Sequence, residues 1–328
     1  LRFADLKACA RLPPYSILPF AFPFHPGPSA QNCLAAKMDI GAFFFPTDYS
    51  IELTELALEL EGRGFESLMV CEHSHIPASR KTPWPGGGEL PKEYYHTYDP
   101  FVGLSFVAAV TKTLKIGTSI CLVPQRDPFN LAKSVASLDS LSGGRFIFGI
   151  GAGWNADEME NHGVAHKSRF KIMRETILAA KQLWTEEQGE FHGEFIDFDP
   201  AFSAPKPVQK PHPPILLGGY SDHTLSRVVE YCDGWLPIGP LNMAKGMARL
   251  RHIADAAGRD MATLQTTVFQ MSVLVTGESH FTAPDKAALE AYAEAGVNRV
   301  LLQIPTAGRD ACRKTLDSYM PLIGQKFT

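Results

Sequence analysis

The sequence is short of everything that marks a nucleic-acid or membrane partner. It has no basic patch and no run of like charge, and a net charge of -4 gives no attraction to phosphate backbones or anionic lipid. Its six cysteines, Cys9, Cys33, Cys71, Cys121, Cys232 and Cys312, are scattered and include no C-x-x-C pair. That excludes a zinc-ribbon spacing and a disulfide framework, so free thiols and a cytoplasmic location are expected. A long apolar run is missing too. Near the N-terminus, LPPYSILPFAFPFHPGPSAQN carries six prolines, which interrupt any stretch able to act as a signal peptide. Residues 1–37 read as an irregular N-terminal extension and residues 38–328 as the working domain. Its expected partners are small molecules, with no nucleic acid and no membrane.

What is present is an alternation. MDIGAFFF (38–45) is a buried strand, and SIELTELALELEGRG (50–64) is a helix with Leu53, Leu56, Ala57 and Leu60 on one face, stopped by Gly62 or Gly64. Further strands are read at 65–73, 114–123, 145–150, 213–219, 233–239, 264–275 and 298–304, with helices over 99–112, 130–142 and 168–184 and helical material between the later strands. Eight apolar strands separated mainly by helices predict a (β/α)₈ TIM barrel, whose sites lie in the loops after the strands. A doubly wound sheet is the second choice.

One stretch tests that choice. SGGRFIFGIGAGW (142–154) is a strand breaking into glycines, and from Gly151 the residues GAGWNA satisfy G-x-G-x-x-G/A. A Rossmann finger wants those glycines on the first βα turn and an acidic residue about 20 positions on. Here they follow the fourth strand and lead into two helical segments, so the loop is read as lining a ligand site of a barrel.

The chain from Met38 to Ile323 resembles the luciferase-like flavin and deazaflavin oxidoreductases. The resemblance is carried by Glu72-His73 ending strand two; by HIPASRKTPWPGGGELPKEYYHTYDPF; by LKIGTSICLVPQRDPFNLAKSVASLDSLSGGRFIFGIGAGWNADEMENHG; and by PKPVQKPHPPILLGGYSDHTL leading to DGW. It implies a luciferase-type barrel holding a flavin-like tricycle at the C-terminal ends of its strands, the coenzyme F420-dependent branch being favoured and FMN the alternative. By matching segments, His73 lies beside the ring as catalytic residue, and Glu72, Thr118, Ser119 and Ile120 belong to the cofactor site. Gly151, Gly153, Trp154 and Asp157 line the pocket, and Gly218, Gly219, Tyr220 and Ser221 form a phosphate site, which two glycines before a helix start also suit. The resemblance further implies a cis peptide between Ser119 and Ile120 within a bulge, a homodimer, and, if FMN is used, a flavin reductase supplying reduced flavin for a monooxygenase. Trp154 stands where the family's sugar-phosphate dehydrogenases carry an acid and Pro77 where they carry a tryptophan, which disfavours a sugar phosphate.

Blander readings stand beside these. Glu72 and His73 fit a strand-end ion pair and a satisfied histidine; Phe146 is read as core; His162, His166, His212 and His223 are read as surface histidines. The loop 74–98, with Gly86-Gly87-Gly88, Trp84, Tyr94 and Tyr95, suits a mobile lid. Two other classes are weighed. Glu72, His73, His75 and His96 could serve a metal-dependent barrel hydrolase, although the first strand lacks the usual H-x-H; or the fold could bind a cofactor without turnover.

Overall fold

Short β-branched and aromatic runs bounded by glycine and proline set the staves, and amphipathic helices cover them. The computed structural model describes residues 38–239, 242–270, 286–325 and 327; the expected N-terminal extension lies outside them. The strands are β1 (Asp39–Phe44), β2 (Ser67–Val70), β3 (Lys115–Thr118), β4 (Cys121–Leu122), β5 (Phe146–Gly151), β6 (Gln188–His192), β7 (Asp197–Phe202), β8 (Ile215–Gly218), β9 (Gly234–Leu236), β10 (Ile238–Gly239), β11 (Gln265–Gln270) and β12 (Arg299–Gln303). The helices are α1 (Leu53–Gly62), α2 (Pro100–Val110), α3 (Pro128–Leu141), α4 (Ala156–Asn161), α5 (Arg169–Thr185), α6 (Asp222–Tyr231), α7 (Met243–Ala256), α8 (Lys286–Glu294) and α9 (Arg309–Tyr319).

All barrel pairings are parallel. The ladder runs from β1 through β2, β3, β5, β8, β9, β11 and β12 back to β1, where Asp39 lies opposite Arg299 and Phe43 opposite Gln303. This is the closed eight-stranded (β/α)₈ barrel. Inside it Phe43, Met69, Ile147, Leu216, Phe269 and Leu301 fill the lumen, while Phe44, Leu68, Phe146 and Phe148 face the helices. That two-sided burial is why the staves read as continuous apolar runs. Helix starts are locally encoded: Asp99 accepts from the Phe101 and Val102 amides with Pro100 in the first turn, and Asp127 repeats the pattern before α3.

Two readings change and one pair of strands is added. The expected strand 114–123 breaks into β3 and β4 at Ser119–Ile120, whose peptide bond is cis, and β4 carries on beside β5 with Cys121 opposite Ile150. The expected strand 233–239 is divided at Pro237, and of 264–275 the part beyond Gln270 lies outside the described residues. The segment after α5, to which the sequence reading gives no element, is an antiparallel hairpin of β6 and β7. Its connection is held by Glu175 of α5, which accepts from the Glu194, Phe195 and Ile196 amides at 3.1, 2.7 and 3.0 Å. Among the described residues no helix is long and apolar enough to cross a membrane.

Candidate active site

The C-terminal ends of the staves open into a cavity of about 330 Å³. Its floor and walls are mostly apolar: Phe43, Phe45, Leu236, Ile238 and Phe269 from strands, Phe170 from α5, and Ile120 beside Gly151. A Cβ added at Gly151 would sit 2.0 Å from Ile120 Cδ1, so the glycine leaves room for the Ile120 side chain at that edge. Gly218 continues the same edge on the neighbouring strand, where an added Cβ would sit 3.2 Å from Ile120 Cγ2, and Gly219 with Thr224 of α6 extends it; Gly219 has φ +113°, a conformation open to glycine.

Two ionisable side chains face this apolar space, and each is fixed by a different partner. Glu72, ending β2, is buried and accepts from the Leu122 amide at 2.7 Å and from Arg126 Nε at 2.6 Å. Arg126 also reaches Asp99 Oδ2 at 2.6 Å; burial opposes its charge, but Glu72 and Asp99 hold its pKa above the ordinary arginine value. Glu72 is therefore a clamp on the backbone that frames the cavity. His73 Nδ1 lies 2.9 Å from Glu158 Oε2, and the Glu158 side chain is wholly buried. With Nδ1–H donating to that carboxyl, Nε2 is left as the working nitrogen. The imidazole is held between rings, 5.2 Å from Tyr94 and 5.9 Å from Trp154 by centroids. Glu72 thus takes part in a strand-end ion pair with Arg126 and His73 is a partnered histidine, each with its own neighbour.

The remaining expected residues divide. Ser119, Ile120, Gly151, Gly153, Trp154, Gly218 and Gly219 line the cavity together with Glu72 and His73. Thr118 lies beneath, its hydroxyl donating to the Gly149 carbonyl at 2.7 Å. Tyr220 is exposed, and Ser221 spends its hydroxyl on the N-cap of α6, accepting from the Thr224 amide at 3.1 Å. Asp157 turns away to the loop 74–98, accepting from Ser79 Oγ, the Lys81 amide and the Thr82 amide at 3.0, 3.1 and 3.1 Å and from the Thr82 hydroxyl.

That makes Asp157 a fastener of the loop 74–98. Burial would raise its pKa, but the Thr82 and Ser79 hydroxyls and the Lys81 amide hold it at about 2. The clamp is complete above about pH 4 and is lost as the pH falls through about 2. Asp157→Asn loses charge and part of its acceptor set, at a cost of about 1–3 kcal/mol. Trypsin cleavage at Arg80 and Lys81 is expected to accelerate about tenfold; an unchanged cleavage rate contradicts the fastening role.

Among the residues the sequence reading passed over, Glu158 and Arg126 stand out, each far in sequence from its partner. Tyr94 was read only as part of the lid, yet it lines the cavity, touching Phe45 at 5.0 Å and Trp84 at 6.1 Å between centroids; burial raises its phenol pKa. His212, expected at the surface, is buried against Trp184, with Nδ1 2.9 Å from the Pro213 carbonyl. Phe146 is core as expected. The four side chains weighed as metal ligands do not converge: Glu72 turns to Arg126, His73 to Glu158, His96 to Asp48, and His75 to Ser74 and Asn161. Among the described residues no group of three or more His, Cys, Asp or Glu is placed to hold a metal.

The family model of luciferase-like monooxygenases matches residues 38–318. The chain belongs to that family and is an oxidoreductase of its flavin- or F420-dependent kind. It is 36% identical over 278 residues to an uncharacterized protein of Mycobacterium tuberculosis, covering 83% of this chain and 94% of that one. An FMNH₂-dependent dimethylsulfone monooxygenase of Pseudomonas putida is 36% identical over 116 residues, 34% of this chain and 32% of that protein. In fold the chain is similar to an F420-dependent secondary alcohol dehydrogenase solved with an F420–acetone adduct, with a TM-score of 0.69 at 18% identity over 88% of this chain and 98% of that one. It is also similar to the long-chain alkane monooxygenase LadA, with a TM-score of 0.67 at 13% identity over 87% and 91%.

Proposed function

We propose that this protein is an F420-dependent oxidoreductase that moves a hydride between the deazaflavin and a carbon of a small organic substrate. The observation that carries the reading is one fixed imidazole, backed by a buried carboxyl, at the wall of an otherwise apolar, glycine-edged cavity. Such a space suits a flat tricycle, and one nitrogen, His73 Nε2, remains to manage the proton that must leave or join substrate oxygen as the hydride leaves or joins the adjacent carbon. When bound, the cofactor supplies two-electron hydride chemistry; the chain supplies position and proton transfer. Cavity-edge backbone at Ser119, Ile120, Gly151 and Gly153 would hold the ring edge.

The phosphate end fits the rim formed by Gly218, Gly219 and Thr224. Arg169 and Arg227 both lie over the Phe170 ring there, 4.3 and 4.2 Å from its centroid. Burial and then the Arg227 charge lower the Arg169 pKa. Two cations brought together with no carboxylate partner among the described residues would welcome an anion. FMN presents the same phosphate, and the dimethylsulfone monooxygenase keeps it as the alternative cofactor. Fluorescence titration of the apo-protein with F420 and with FMN in parallel decides: tighter F420 binding supports the proposal, and FMN binding alone replaces it with a reduced-flavin monooxygenase fed by a reductase.

The protein is further proposed to act as a homodimer, in a cytoplasm that keeps Cys71, Cys121, Cys232 and Cys312 reduced. Helix α2, PFVGLSFVAAV, is apolar on every side, and its outer face leaves Val102, Phe106 and Val110 at 59%, 64% and 40% exposure. A helix of that kind is normally covered on all faces. Phe106→Asp is expected to turn a dimer into a folded monomer in light scattering; a wild-type monomer at micromolar concentration removes this part.

A further inference from the structure

The lid contains a second open space beside the cavity, a groove of about 860 Å³ lined by Arg80, Trp84, Glu89, Lys92 and Tyr95 among others. Tyr94 lines the cavity and Trp84 the groove, with their rings 6.1 Å apart, so the two spaces adjoin. At this junction stands an arginine built in an unusual way. Arg80 is the one non-glycine residue with positive φ, +44°, among the described residues, a conformation that L-residues adopt at a cost. Its amide closes a turn on the Pro77 carbonyl at 3.2 Å. Asp157 grips Ser79 before it and Lys81 and Thr82 after it, so the costly conformation is enforced from both sides.

What the turn achieves is the placement of one guanidinium. Arg80 Cζ lies 6.0 Å from the centroid of the Trp154 ring, which forms the cavity wall next to His73. Its Nη1 is buried without a hydrogen-bond partner, and no carboxylate pairs with it among the described residues. The other ionic groups of the groove leave it free: Lys92 Nζ sits 4.0 Å over the Tyr49 ring, and Glu89 makes no ion pair with it. A buried cationic donor left unmatched is costly unless an acceptor arrives to meet it.

We propose that Arg80 is a substrate-recognition residue that binds a carboxylate, so that the substrate of this enzyme has an apolar body and an anionic end seated at the junction of groove and cavity. The planar fork of a guanidinium matches a carboxylate. The cofactor's own anion has a separate place, at the Gly218–Gly219 rim beside Arg169 and Arg227. The inference rests on the reading of the cavity as the active site of a flavin- or F420-dependent oxidoreductase.

The test uses the apo-protein and the fluorescence of its tryptophans, with 4-phenylbutyrate and its neutral amide, 4-phenylbutanamide, as probes. The acid is expected to bind about tenfold or more tighter than the amide in the wild type. Arg80→Met is expected to bring the two within about twofold by weakening the acid alone, and Arg80→Lys to keep part of the preference. If Arg80→Met does not fold, Arg80→Gly serves, since glycine takes φ +44° without strain. A wild type without the tenfold preference, or a preference that survives Arg80→Met or Arg80→Gly, overturns the proposal. F420 and FMN titrations on the same samples keep the two readings apart: failure of both to bind defeats the cofactor assignment, whereas the acid-to-amide ratio is read without cofactor.

Discussion

His73→Asn is expected to lower turnover by about 10²- to 10⁴-fold while leaving the melting temperature close to that of the wild type. Asparagine keeps an N–H near the position of imidazole Nδ1, which lies 2.9 Å from Glu158, and removes the nitrogen facing the cavity. Alanine is a poorer probe than sequence reasoning suggests. A strand-end residue is expected to matter to function more than to packing, but here His73 is the partner of a fully buried carboxyl whose second oxygen, Oε1, has none among the described residues. His73→Ala would leave that carboxyl unmatched, and a buried polar group that loses its partner costs about 1–3 kcal/mol. The two variants therefore separate roles: both lose proton transfer, and only alanine loses stability. If His73→Asn turns over normally with the cofactor bound, the imidazole is a structural partner of Glu158 and the proton passes elsewhere.

How much was legible follows from the range of each signal. The staves declare themselves within a few residues, because a strand buried on both faces is an apolar run whatever lies next to it. Helix starts at Asp99-Pro100 and Asp127-Pro128 are equally local. The hairpin after α5 carries a local signal as well, since GEFHGEFIDFD largely alternates apolar and polar positions, but an eight-stranded barrel does not call for such a pair and the sequence reading gives the segment no element. The pairs that set the site are not local. Glu158 lies 85 residues from His73, and Arg126 lies 54 from Glu72; neither partner has a spacing to recognise, and only closure of the barrel brings them together. His212 shows the opposite error. A histidine amid prolines reads as a loop residue at the surface, yet the segment before β8 passes under Trp184 and buries it. Asp157 is read from the sequence as lining the pocket, but its carboxylate faces the loop 74–98, a relation that no motif around it encodes.

The largest loss of stability is expected at the other end of the barrel, from Glu66→Gln. Glu66 precedes β2 and receives Arg299 of β12 in a two-point contact, Nε to Oε2 and Nη2 to Oε1 at 2.7 Å each, while Lys115 Nζ reaches Oε1 at 2.7 Å. Arg299 is 4% exposed and also donates to Thr267 Oγ1 at 3.0 Å. The pair thus ties the first turn of β2 to β12 across β1, at the face of the barrel where conserved chemistry serves stability. Burial works against the Glu66 charge, but Arg299 and then Lys115 outweigh it and hold its pKa at about 2 in place of 4.5. That difference corresponds to about 3 kcal/mol of stability at neutral pH, in line with the about 3–5 kcal/mol lost when a buried pair is broken from one side. Because the folded value lies below the unfolded one, the contribution is complete above about pH 4.5 and disappears as the pH falls through about 2. Urea unfolding of wild type and Glu66→Gln should therefore show a gap of about 3 kcal/mol at pH 7 that narrows steadily on acidification below about pH 4. A gap under about 1 kcal/mol at pH 7, or one that widens in acid, would show that the Glu66–Arg299 contact holds the barrel no better than a surface ion pair.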